Sequence, residues 1–113
     1  MMKIYHNPRC RKSREALNFL QSNGHNFDIV LYLNEKLTPV ELREIIQKLK
    51  ITPQNLIRKE ETLWKAQFKG KSLSDSELIH LMIQEPRLMQ RPIVVLGDKA
   101  VIARPVEAIN QLF

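Results

Sequence analysis

Among 113 residues the chain has a single cysteine, Cys10. A lone thiol cannot close an internal disulfide, so the fold has no disulfide framework, and such sparing use fits a reducing compartment. Aromatic residues are also few, at 6%. None is interleaved with basic residues in the way a single-strand nucleic-acid platform requires. No apolar run approaches the roughly 20 residues of a transmembrane helix, so no membrane span is expected. The opening stretch MMKIYHNPRC has neither an apolar signal core nor a cleavage pattern, and the expected location is the cytoplasm.

Positive charge, by contrast, is in excess. Eighteen basic residues stand against twelve acidic ones, for a net charge of +6. No Lys/Arg run exceeds two residues, so the arginines read as individually placed rather than as a nucleic-acid stripe. The length suits one domain over residues 1–113. No large exposed apolar face is legible, which predicts a monomer.

Periodicity gives the order of elements. KIYH (Lys3 to His6) alternates as a short strand, and Asn7-Pro8 marks a turn after it. From Cys10 onward Ala16, Leu17 and Leu20 share a helical face that Asn23-Gly24 closes. FDIVLYL (Phe27 to Leu33) predicts a second strand. Thr38-Pro39-Val40-Glu41 is a capping box with proline at the first helical position, ahead of Leu42, Ile45, Ile46 and Leu49. Thr52-Pro53 repeats the cap-and-proline device before two short helices. Ser74 and Glu77 open another helix, which Pro86 ends.

PIVVLGDKAVIA then predicts two strands joined by a Gly97-Asp98 turn, and Pro105 opens a last helix. The order is β-α-β, helices, β-β-α, with the first two strands parallel and the last two antiparallel. This is an α/β, thioredoxin-like mixed four-stranded sheet with a helical insertion at about 38–88.

Cys10 then sits where the first strand turns into the first helix. Unsatisfied N–H groups and the positive end of the helix dipole favour a thiolate there. Arg9, Arg11, Lys12 and Arg14 flank it, and Arg14 lies one helical turn on, on the same face. His6 can add a positive charge or a hydrogen bond. A first turn normally prefers acidic residues, and cations there cost a few tenths of a kcal/mol each, which an anion or anionic sulfur would offset. A free cysteine is commonly a buried small apolar residue. The polar, charged surroundings favour a reactive thiolate instead. Ser13 stands where a Cys-x-x-Cys motif would place its second sulfur, so any disulfide formed on Cys10 needs an outside thiol for release.

YHNPRCRKSR, followed downstream by LIRK, RPIVV and ARP, resembles the glutaredoxin-dependent arsenate reductases (the ArsC/Spx-like family) over nearly the whole chain. The resemblance implies an oxidoreductase that reduces arsenate to arsenite. Cys10 would be the nucleophile, with His6 lowering its pKa and Ser13 bonding its sulfur. Arg58, Arg91 and Arg104 match the oxyanion-holding arginines, and Arg14 joins them as a substrate-binding candidate. Glutathione would be the co-substrate and glutaredoxin the partner. Arg91-Pro92 falls where thioredoxin folds carry a cis proline. Two alternatives stay open: a thiol oxidoreductase acting on another substrate, and an Spx-like regulator binding RNA polymerase, against which Ser13 counts. No bound cofactor is expected. His25 and His80 lack partners spaced for a metal, Trp64 and Met82 read as core, and Glu60-Glu61 as solvent-facing.

Overall fold

Strand β1 is Met2–Tyr5, one residue earlier than the alternation suggested. Helix α1, Arg11–Ser22, follows it with Cys10 as N-cap, and buries Ser13, Ala16 and Leu20. The chain turns back at Asn23 and Gly24, the latter at φ 73°, a left-handed conformation that glycine adopts without Cβ strain. Strand β2 is only Asp28–Val30. The expected strand over 27–33 stops early because Asn34 and Glu35 both donate their N–H to the Leu31 carbonyl at 2.9 Å. That turn buries Tyr32. Of the β-formers in this stretch only Tyr32 is buried, while Ile29 and Leu33 stay exposed, so high β propensity alone did not extend the strand.

Strands β3 (Ile93–Leu96) and β4 (Lys99–Ile102) form the expected hairpin. The first turn residue, Gly97, has φ 61°, which a two-residue turn of this kind requires. The sheet order is β2-β1-β3-β4, with β1 and β2 parallel and β1 and β3 antiparallel. The mixed four-stranded sheet is that of a thioredoxin-like fold. The last segment departs from expectation: Val106–Leu112 is a 3-10 helix, and Pro105 lies outside it in an extended conformation. Val106, Ile109 and Leu112 repeat every third residue, which a three-residue turn keeps on one side. Ile109 and Leu112 are buried in a core with Met2, Ile4, Ala16, Leu20, Val94 and Ala103.

The computed structural model describes all of residues 1–113. They form two units, Met1–Glu35 with Arg91–Phe113, and Lys36–Gln90. The second unit is helical: α2 (Pro39–Leu49), α3 (Pro53–Leu56), α4 (Thr62–Gln67) and α5 (Asp75–Gln84). Both predicted capping boxes are formed, Thr38 with Glu41 and Ser74 with Glu77. Helix α5 packs on α2 and α3, burying Leu42, Ile45, Leu56, Leu78 and Met82. Trp64 is buried as expected. Pro86 ends α5 and begins a 3-10 turn, Pro86–Leu88. No helix is long and apolar enough to cross a membrane.

Candidate active site

Register decides which segments meet. Tyr5 pairs with Ile93, and Ile93 with Ile102. Three connections therefore gather at one end of the sheet: His6 to Cys10 after β1, Arg91-Pro92 before β3, and Ala103-Arg104 after β4. The Ala103 N–H donates to the Pro92 carbonyl at 2.9 Å, tying two of them together. The Arg91-Pro92 bond is cis, as the sequence led us to expect, and so is Arg104-Pro105.

The cysteine loop is a tight turn built on Asn7. Its carbonyl accepts the Cys10 N–H at 3.0 Å, and its side-chain oxygen accepts the Arg9 N–H at 3.0 Å. Proline second in such a turn presets its backbone angle, and asparagine first closes it. Asn7 is buried and had been read only as a turn marker.

Cys10 is itself 9% exposed. Burial is the largest influence on its thiol and pushes the pKa up. The Ser13 N–H, the Arg91 guanidinium and the Lys12 N–H together outweigh it, so the pKa lies below that of an ordinary cysteine. Sγ makes no cap hydrogen bond of regular geometry, yet Lys12 and Ser13 hold the second and third positions of α1, whose free N–H groups face an N-cap atom.

The flanking cations behave differently from their expected roles. Arg11 and Lys12 turn to Glu15, at 3.4 and 3.7 Å. The Arg14 guanidinium donates to the Pro8 carbonyl at 2.9 Å. Arg14 is exposed, and it is Ser13 that α1 buries on the Cys10 side. The cation that acts on the sulfur is Arg91, from the far end of the chain.

His6 supplies the hydrogen bond and not the charge. Its side chain is buried, and Nδ1 lies 2.6 Å from Ser13 Oγ. Burial chiefly, then the Arg14 charge, lower its pKa against an opposing effect of Ser13, so the imidazole is neutral near pH 7. Ser13 Oγ also accepts the Asn7 N–H at 3.0 Å. Ser13 therefore meets the sulfur through its main chain, while its hydroxyl ties His6 to the loop.

Arg104 is exposed at the end of β4. Arg58 belongs to the helical unit, where its side chain is 14% exposed and pairs with Glu61 at 3.0 Å and Glu60 at 3.4 Å. The two glutamates that looked like plain solvent-facing charges are thus partners of a partly buried arginine. His80 is exposed, and His25 stacks on Phe113 with ring centroids 4.6 Å apart.

With this geometry in place, comparison with known proteins is informative. Residues 5–112 match the model of the ArsC family. The Uncharacterized protein YfgD of Escherichia coli K12 is 43% identical, over 98% of this chain and 95% of its own. An arsenate reductase of Haemophilus influenzae is 39% identical, over 96% of both chains. The solved structure of an arsenate reductase from Vibrio cholerae superposes with a TM-score of 0.94 at 36% identity, covering 99% of this chain and 97% of that one.

Proposed function

The chain belongs to the ArsC family, and on that premise we propose that it is an oxidoreductase reducing arsenate to arsenite with the Cys10 thiolate as nucleophile. The observation that carries this reading is a cysteine at a helix start, its anion favoured by main-chain N–H groups and by Arg91.

The chemistry demands such an arrangement. Arsenate is anionic at neutral pH, so an attacking thiolate meets like-charge repulsion. A guanidinium beside the sulfur neutralises the oxyanion and offers two parallel N–H donors to adjacent oxygens. We assign that role to Arg91. By resemblance to the family, Arg104 and Arg58 are further candidates to hold the oxyanion, and Arg14 is a candidate by its place one turn after Cys10. In the first step the Sγ–As bond forms and one arsenate oxygen leaves as water, taking one proton from solvent. In the second, an incoming thiol attacks Sγ and the S–As bond breaks. Its electron pair stays on arsenic, which passes from As(V) to As(III). The thiol proton ends on arsenite, and the two sulfurs form a mixed disulfide.

The chain has no second cysteine, so the disulfide must be reduced from outside. Glutathione is our proposed donor, and glutaredoxin the proposed reductant of the mixed disulfide. Ser13 and His6 act as positioning residues that hold the loop so that main-chain donors face Sγ.

The test is a coupled assay with arsenate, glutathione, glutaredoxin, glutathione reductase and NADPH. Arsenate-dependent NADPH consumption is expected, and its loss in Cys10→Ser. Silence in this assay, with Cys10 still titrating as an acidic thiol, would discard arsenate as the substrate.

A further inference from the structure

A cleft of about 350 Å3 opens beside the cysteine loop, lined by His6, Arg9, Leu31, Leu33 and Asn34 among others. That volume falls in the range of small-molecule sites, roughly 300–1,000 Å3. We infer that this cleft seats the electron-donating thiol, a small peptide thiol bearing carboxylates, with the Arg9 guanidinium and the His6 Nε2–H as its anion contacts. The inference rests on the thiol-dependent reading above and specifies where its second substrate binds.

Hydrogen-bond accounting fixes what His6 presents. Ser13 is fully buried, and its Oγ accepts the Asn7 N–H. The hydroxyl proton then has one acceptor, His6 Nδ1 at 2.6 Å. A neutral imidazole that accepts at Nδ1 carries its proton on Nε2. His6 is 5% exposed, Nε2 has no partner within the chain, and His6 is among the residues that line the cleft. A fixed N–H donor of this kind awaits an acceptor from outside.

Arg9 is the second donor. The other cations of the loop are engaged: Arg11 and Lys12 by Glu15, Arg14 by the Pro8 carbonyl. Arg9 has no ion-pair partner, and it lines the cleft. Leu31 and Leu33 supply apolar wall, and Leu33 is 37% exposed. Two cationic or N–H donors beside an apolar wall suit a short peptide with carboxylate ends.

The side of approach agrees with the reaction. The donor sulfur must attack Sγ opposite the bond to arsenic, because the S–As electron pair leaves along that line. Arg91 precedes β3, and Leu31, Leu33 and Asn34 follow β2. In the order β2-β1-β3-β4 these segments flank the end of β1 on opposite sides. Arg91 and the cleft therefore lie on opposite sides of the end of β1 from which the cysteine loop springs.

S-methylglutathione, which has no free thiol, is the probe, titrated into Cys10→Ser protein with backbone amides followed by NMR. Shifts are expected at Arg9, Leu33 and Asn34, with the dissociation constant raised about fivefold or more in Arg9→Glu, as for a reversed exposed ion pair, and restored towards wild type in Arg9→Lys. In the coupled assay Arg9→Glu should raise the KM for glutathione. Shifts confined to other surfaces, no shifts at saturating probe, or binding indifferent to Arg9→Glu would overturn the site. Cleft binding without arsenate reduction would uphold this inference and overturn the proposed activity; arsenate reduction without cleft binding would do the reverse.

Discussion

A thiol with four cations in its neighbouring sequence invites the view that they make it acidic. At Cys10 three of them are turned away, towards Glu15 or the Pro8 carbonyl. The acidity comes from the Ser13 and Lys12 N–H groups and from Arg91, working against burial. Because the acid is neutral and its anion charged, a lowered pKa means thiolate populated from a lower pH than the ordinary 9.0. The rate of alkylation by iodoacetamide should rise with pH to a plateau with its midpoint below that value. Arg91→Ala should move the midpoint up, whereas Arg11→Ala should leave it nearly in place. An equal effect of both substitutions would return the credit to the flanking charges.

Among the elements, three helix starts in the second unit allow a graded comparison. Thr38 and Ser74 each accept an N–H at 3.1 Å in a reciprocal box. Thr52 occupies the same N-cap position before Pro53 but makes no side-chain cap bond. Removing an N-cap oxygen that is used costs about 1 kcal/mol. Urea unfolding should therefore show Thr38→Ala and Ser74→Ala each losing about 1 kcal/mol, and Thr52→Ala only a few tenths. These boxes were legible because every partner lies within three residues in sequence. The early end of β2 and the 3-10 form of the last helix were not, since both follow from what Tyr32, Ile109 and Leu112 are buried against.

At the scale of the whole molecule, the core of the sheet unit is drawn from both ends of the chain: Met2, Ile4, Ala16 and Leu20 pack with Val94, Ala103, Ile109 and Leu112. The C-terminal 3-10 helix is thus part of what holds β1 and β3 in register, the register that also gathers the cysteine loop and Arg91. Ile109 is fully buried, and Ile109→Ala should cost about 2–5 kcal/mol in thermal or denaturant unfolding. A loss below about 1 kcal/mol, typical of exposed sites, would mean that this segment is dispensable to the core.

Sequence alone determined the element order, the two capping boxes, the Gly97-Asp98 hairpin, the parallel pairing of the first two strands and the thiol at a strand-to-helix turn. Each of these rests on residues close together or on a period, and local physics suffices for both. Only the tertiary structure decided which charged and polar groups meet. It brings Arg91 to the sulfur, leaves Arg14 on a loop carbonyl, gives Glu60 and Glu61 to Arg58, and keeps His6 neutral behind Ser13. Of these only the Arg91 contact joins residues far apart in the chain; the others are close in sequence, and burial and side-chain direction chose among their possible partners. Desolvation and Coulomb forces act on where a group sits in space, and no periodicity in a sequence records that.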